Sequence, residues 1–440
     1  MKSYITVPAA CLFGMILLAG CKEAGSVAVR IFSERMKVAE NIPDALGVPG
    51  YQPVSREPGP PPAPFSSPYT PPQASARALE QDYKDHIQKV FVSGDKAAWE
   101  KEADAALFSG GYYPNGGMQA WHFIGLVRNQ IEFQEETRRD WFMKSLDEWA
   151  RLYPDSRAQP IVKAEALITR AWLERGSGWA YTVTRDGWKG FFENLDAAQH
   201  VAVETLSKGH AHPQIYAQLV KINMGLCVSN ERIVGLLLAG LSLDPLYPPL
   251  YHAAGQAFAS KWGGYPRDWP KIAAHVRHAT AAQIGDAGLI WLYSSLGQGG
   301  DDIFSEVPEV FQWSDLERAH DHFLRLFPGS QSQLNMMARA ACAFEEREAA
   351  ARYFEQIREY HEPYVWVEEM HHAWRAWALD GAERPMKTAL HHAARENNVD
   401  GIKQALAAGL SIQQPDDYGN TPIMAAMNEG AYDAVRVLLE

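Results

Sequence analysis

Only four cysteines occur in 440 residues, at Cys11, Cys21, Cys227 and Cys342, and no two of them form a C-x-x-C pair. That argues against zinc fingers and thioredoxin-like redox chemistry. Cys227 and Cys342 lie in apolar helical surroundings, where separate buried thiols are expected; a Cys227–Cys342 disulfide is the other reading. Basic clusters are also scarce. Lys and Arg total 41 against 53 Asp and Glu, a formal net charge of −12, with no Lys/Arg stripe. Such a chain lacks the footprint that neutralises phosphates, which argues against nucleic acid and anionic lipid as partners. Past the first few residues no segment reaches 18 uninterrupted apolar positions, so no transmembrane helix is expected. Strand-like alternation is rare. There is no Walker A loop, no G-x-S-x-G elbow and no H-E-x-x-H pair. No catalytic residue, metal ligand or cofactor site is therefore assigned, and the chain is read as non-enzymatic.

What is present is apolar and aromatic material: 47% hydrophobic residues, 11% aromatics and 14 Trp, enough for a substantial core. The first residues combine Lys2, an apolar run from Val7 to Leu18, and Leu18-Ala19-Gly20-Cys21. The run is too short to span a bilayer as a helix. Residues 1–20 resemble a bacterial lipoprotein signal peptide whose lipobox ends at Cys21. The resemblance implies lipidation of Cys21 after cleavage, which tethers a chain without spanning the membrane. Lys22 follows the cysteine, so the resemblance implies the outer membrane, with the body in the periplasm. Between Pro43 and Pro72, eleven of thirty residues are proline. Such a stretch favours extended polyproline II, and residues 21–76 are read as a linker reaching on the order of 90 Å.

From residue 77 to about 380 the apolar spacing is helical, with breaks at Gly110-Gly111, Pro154, Gly209 to Pro213, Pro245, Gly263-Gly264 and Pro328. Helices of 10–18 residues joined by short turns predict an all-α array of stacked hairpins. Two places resemble tetratricopeptide repeats. In one, Leu334, Met337, Ala338 and Ala341 fall on helix A, and Ala350, Phe354 and Ile357 on helix B. In the other, Ile233, Leu237 and Gly240 precede an Asp244-Pro245 turn, followed by Tyr251, Ala254, Gly255 and Phe258.

One stretch invites a sharper reading. Trp172 to Leu195 holds four glycines and three tryptophans in 24 residues. With Pro154-Asp155-Ser156, Ala171-Trp172, Arg175-Gly176-Ser177-Gly178, Thr182-Val183-Thr184 and Gly187-Trp188, it resembles a bacterial domain family of uncharacterised function. The resemblance implies an α-helical domain and no activity. Each residue type has a structural use. Asp155 or Ser156 caps the helix that follows. Gly176 and Gly178 permit positive φ. Arg175 neutralises the last helix carbonyls, and Thr184 or Asp186 caps the next helix. The alternative is a ligand-binding or catalytic corner built on Arg175, Trp179 and Trp188.

Residues 386–440 repeat with period 33: Thr388 matches Thr421, Leu390 Ile423, Ala393 Ala426, Asp400 Asp433, Ile402 Val435 and Leu406 Leu439. They resemble two ankyrin repeats, with Ala389 and Met424 departing from the pattern, and His391 falls on its Thr-x-Leu-His turn. Asn397 stands where Gly430 stands one period later, a position that wants left-handed backbone. The resemblance implies a protein partner bound at the turn tips, near Asp416, Asp417, Tyr418 and Asn420. Two repeats cannot bury their own faces, so docking on preceding helices or further repeats is expected. Trp366, Trp374 and Trp377, at helical spacings, are expected in the core. Glu368-x-x-His371 lacks the second motif a di-iron site needs.

Overall fold

The structure, a computed structural model, describes residues 73–439 except 114, 179, 260–261, 263–267, 296–311, 329, 359–360, 363–364, 367 and 417. The signal peptide, Cys21, the proline-rich linker, Gly263-Gly264, Trp179 and Asp417 lie outside the described residues. The fold is all-α: the described residues form nineteen α-helices and no strand, with a single isolated bridge between Tyr112 and Met118. No helix among them is long and apolar enough to cross a membrane. The chain divides into two compact units, one ending at Gly329 and the other running from Ser330 to Glu440.

In the first unit, α1 (Gln73–Ser93) is followed by α2 (Lys96–Asp104), which continues as a π-turn over Ala105–Ser109. Then come α3 (Gln119–Glu132), α4 (Glu136–Leu152), α5 (Gln159–Arg175), α6 (Arg185–Ser207), α7 (Pro213–Gly225), α8 (Asn230–Leu243), α9 (Pro248–Ala257), α10 (Trp269–Ile284), α11 (Gly288–Ser294) and α12 (Trp313–Leu326). The glycine and proline breaks read from the sequence fall between these helices wherever they are described. Helix starts carry their own caps. Asp95 accepts from Ala97 N at 2.9 Å, and Ser156 Oγ accepts from Gln159 N at 3.0 Å. The His212 imidazole takes the same role at α7, where Nδ1 accepts from Gln214 N at 3.1 Å. Its other nitrogen then carries the proton and donates to Leu107 O at 2.9 Å.

The odd-numbered helices pack side by side in chain order, α1 on α3, α3 on α5, α5 on α7, α7 on α9 and α9 on α11. Even-numbered helices cover them; α8, α10 and α12 follow one another as α8 on α10 and α10 on α12. This is the layering of stacked helical hairpins. The core at the α1–α4 end is aromatic: Phe91, Trp99, Phe123, Phe142 and Trp149 are fully buried. Each indole N–H there finds a partner, Trp99 Nε1 donating to Val90 O at 2.9 Å and Trp149 Nε1 to Glu100 Oε2 at 2.7 Å.

Small residues set the closest crossings. A Cβ on Gly255 of α9 would lie 1.5 Å from Ser295 Oγ and 2.4 Å from Ser295 Cβ. Gly255→Val is expected to destabilise the unit by about 1–3 kcal/mol, read as a shift of the denaturation midpoint at constant slope.

In the second unit, α13 (Gln331–Ala343) and α14 (Arg347–Ile357) form the hairpin that resembles a tetratricopeptide unit. Leu334, Met337, Ala338, Ala341, Ala350, Phe354 and Ile357 are all buried, as the pattern predicts. Next come α15 (Glu368–Arg375), a π-turn (Ala376–Asp380), α16 (Ala389–Arg395), α17 (Val399–Ala407), α18 (Pro422–Asn428) and α19 (Tyr432–Leu439). Trp366, Trp374 and Trp377 are buried. Cys342 is a buried free thiol whose pKa burial raises well above the ordinary range, so it forms no pair with Cys227. Cys227 differs from expectation: it is only half-buried and holds a φ of 52° at the end of α7.

Candidate protein-binding surface

The four short helices α16 to α19 share a small core of Leu390, Ala394, Ile402, Ala426 and Ala434, with Leu438 at its edge. Alanine at the inner positions lets helices this short approach closely. His391 locks the two repeats together. Thr388 N donates to its Nδ1 at 3.2 Å, closing a capping box, so Nε2 carries the proton and donates to Asn420 O at 3.0 Å. The ring is fully buried. Asn397 adopts the expected left-handed backbone at φ 55°, matching Gly430 at 68°. Its Oδ1 accepts from Ala434 N in the next repeat at 2.8 Å. Outside, Arg395 of α16 donates to Glu429 Oε1 at 2.6 Å.

The turn that joins the repeats is held by Asp416. Its Oδ1 accepts from Tyr418 N at 2.9 Å and Asn420 N at 2.8 Å, and Gly419 N donates to Asp416 O at 2.9 Å. Asp416 is 2% exposed. It frames the turn and also lines the groove beside Tyr418 and Asn420. A carboxylate at such a tip is drawn inward because it can satisfy several backbone donors at once. Met386 N donates to Pro415 O at 2.9 Å, tying this turn to the preceding one. With the frame fixed, Tyr418 stands out, 46% exposed, and Asn420 is half-buried. Together with Lys387, Arg395, Asn428 and Glu429 they edge an open groove of about 340 Å³. Lys387, Arg395 and Glu429 give it charges of both signs.

The glycine- and tryptophan-rich stretch forms the corner between α5 and α6. Gly176 ends α5 at φ 76°, while Gly178 keeps an ordinary φ, contrary to expectation. Gly178 is needed for space: a Cβ there would lie 2.3 Å from Thr182 Oγ1. Thr184 Oγ1 accepts from Gly187 N at 3.0 Å and caps α6. Gly187 allows α6 to cross the end of α5, since a Cβ would stand 2.9 Å from Glu174 O. Arg175 does not reach back to the last helix carbonyls. Its Nη1 donates forward to Gly176 O at 3.0 Å and Gly178 O at 3.2 Å. Its guanidinium lies 5.7, 5.4 and 5.8 Å from the ring centroids of Trp172, Trp188 and Trp262. This cation–π cluster pins the loop to both helices. Trp188 stacks on Phe192 at 5.6 Å, and its buried Nε1 has no hydrogen-bond partner. Arg175→Ala is expected to lower stability by about 1–2 kcal/mol, from the lost cation–π contacts and carbonyl bonds, with the helix content unchanged by circular dichroism.

A third polar assembly was not singled out in the sequence. Glu165 of α5 is fully buried. Its Oε1 accepts from Lys221 Nζ at 2.9 Å, and its Oε2 from Gln214 Nε2 and Gln218 Nε2, both at 3.1 Å. Tyr247 OH donates to Gln214 Oε1 at 2.9 Å. Burial works against the Glu165 charge, but Lys221 and Arg128 outweigh it and hold its pKa below the usual carboxylate range. A signal existed: Gln214, Gln218 and Lys221 stand at i, i+4 and i+7 on a helix whose other buried residues are apolar apart from Asn223.

No group of three or more His, Cys, Asp or Glu side chains that could hold a metal occurs among the described residues. Residues 374–440 match the family model described as ankyrin repeats (3 copies), starting twelve residues before the boundary read from the period-33 pattern. No curated protein and no solved structure matches the chain.

Proposed function

We propose that the protein is a non-catalytic scaffold of the bacterial cell envelope, anchored through a lipid on Cys21, that binds a protein partner on the turn-and-groove face of its ankyrin repeats. The observation that supports this most is the groove edged by Tyr418, Lys387, Arg395 and Glu429. Behind it, Asp416 accepts from Asn420 N and His391 donates to Asn420 O, which satisfies the backbone of the joining turn. The groove also mixes one exposed aromatic ring with opposed charges, the composition that favours protein recognition. Ankyrin repeats are protein-interaction modules, and residues 374–440 carry the match to that family. The anchor rests on the Leu18-Ala19-Gly20-Cys21 sequence alone.

The test is affinity capture from envelope extract with the wild-type chain and with a Tyr418→Ala/Arg395→Glu double variant, read by mass spectrometry. One protein held by the wild type and lost from the variant supports the reading. The same set on both, or none on either, overturns it. Anchoring is checked separately by incorporation of labelled palmitate, which Cys21→Ser should abolish.

The rival reading places a small ligand at the Arg175–Trp188 corner. Against it, the Arg175 guanidinium already donates to two loop carbonyls and faces three indoles. Its favourable observation is the unpartnered Trp188 Nε1.

A further inference from the structure

We propose that the face formed by α3, α5, α7 and α9 binds a small organic carboxylate, held by Arg128 and Lys221 over Gly125 and against the ring of Trp121. The four helices are consecutive members of the odd-numbered layer, and each sends polar or titratable side chains to one place: Arg128 from α3, Glu165 from α5, Lys221 from α7 and His252 from α9.

The charges there do not balance. Glu165 is one anion, and Lys221 with the two glutamines already fills both of its oxygens. Arg128 is a second cation. Its Nε faces Glu165 Oε1 at 3.8 Å, an ion pair too long for a hydrogen bond, and that buried Nε has no hydrogen-bond partner. An orphaned guanidinium N–H in a low-dielectric place is costly, and a guanidinium is shaped to take a carboxylate on two parallel bonds. One net positive charge calls for a monoanion. A dianionic phosphate would leave a net negative charge buried.

There is room for the ligand. A Cβ on Gly125 would have only Arg128 Nη2 within 4 Å, at 3.8 Å, so the space beside the guanidinium is open. The Arg128 side chain is 38% exposed and that of Lys221 17%, which leaves an entry path. Trp121, Gly125 and Arg128 stand at i, i+4 and i+7, on one face of α3. The Trp121 ring meets His252 edge-on at 4.3 Å, giving an apolar wall next to the charge. Burial, with Arg128 and Lys221 nearby, pushes His252 down to about 3, so it adds no further charge at neutral pH.

The probe is benzoate, titrated by calorimetry into the full chain, with benzamide and inorganic phosphate as controls. Saturable benzoate binding, no benzamide binding and weaker phosphate binding are expected. Arg128→Gln should weaken benzoate at least tenfold. Gly125→Leu should fill the open space and abolish binding while holding or raising Tm, because leucine is a far better helix former than glycine. That variant keeps the test decisive even where Arg128→Gln folds poorly. No saturation up to about 10 mM benzoate, a range that covers weak millimolar affinity, overturns the proposal. So do equal binding of benzamide, tighter binding of phosphate, or unchanged benzoate affinity in Gly125→Leu. None of these residues belongs to the ankyrin repeats, so failure here leaves the scaffold reading standing.

Discussion

Glu165→Ala is expected to lower the unfolding free energy of the first unit by about 3–5 kcal/mol, the cost of removing one member of a buried ion pair. The Glu165 carboxylate is fully buried and receives Lys221, Gln214 and Gln218. Alanine would leave two cations, Lys221 and Arg128, without their counter-charge, and two glutamine amides without an acceptor. Lys221 is already pushed below the usual lysine range by burial, and Glu165 is the group that opposes that push. A second variant isolates the charge. Glu165→Leu combined with Lys221→Met should recover a large part of the loss, since apolar pairs commonly replace buried ion pairs without penalty. Urea denaturation of the single and double variants measures both. A loss below about 1 kcal/mol for Glu165→Ala, the range of a surface ion pair, would show that the network does not hold the helices together.

Mild acid should be the second large perturbation. His212 and His320 are buried, and burial pushes both imidazoles down to about 4 from an ordinary 6.5. The unfolded chain binds protons at these rings below about pH 6.5, whereas the folded chain resists until about pH 4. Their contribution is therefore fully present above pH 6.5 and is lost as pH falls through that window. Each ring costs about 1.4 kcal/mol of stability per pH unit inside it. Glu165 acts in the same direction only at lower pH, because its folded value lies below the usual carboxylate range. Denaturant midpoints at four pH values between 7.5 and 4.5 should fall steadily, beginning near 6.5. His212→Asn, which keeps an N-cap acceptor at α7, should remove about half of the slope from the pair. A flat profile down to pH 5 would reject neutral buried imidazoles as the cause.

The helical layout was legible because its signals are local. Glycine and proline punctuate the turns, and apolar spacing marks the buried faces of α13 and α14 within a dozen residues. The ankyrin frame was legible for a different reason: the same chemistry recurs 33 residues on, so Asn397 and Gly430 explain one another. Three things were hidden, each by distance or by direction. Arg128, Glu165, Lys221 and His252 meet only because odd-numbered helices stack, and no local pattern joins residues this far apart. Trp262 enters the Arg175 cluster from far downstream of the corner it closes. Asp416 has the composition of an exposed tip, and only its backbone partners reveal that it faces inward.

The odd-numbered layer has a mechanical consequence. In α3, α5, α7, α9 and α11 each helix leans on its immediate neighbours, but the loop after α2 also reaches far along the stack, where Tyr112 OH donates to Leu246 O at 2.8 Å and its ring meets Phe327 at 5.6 Å. Pulled from both ends, such a stack should part first at that loop contact. It should then lengthen in steps, one hairpin after another, and re-close from whichever portion is still folded.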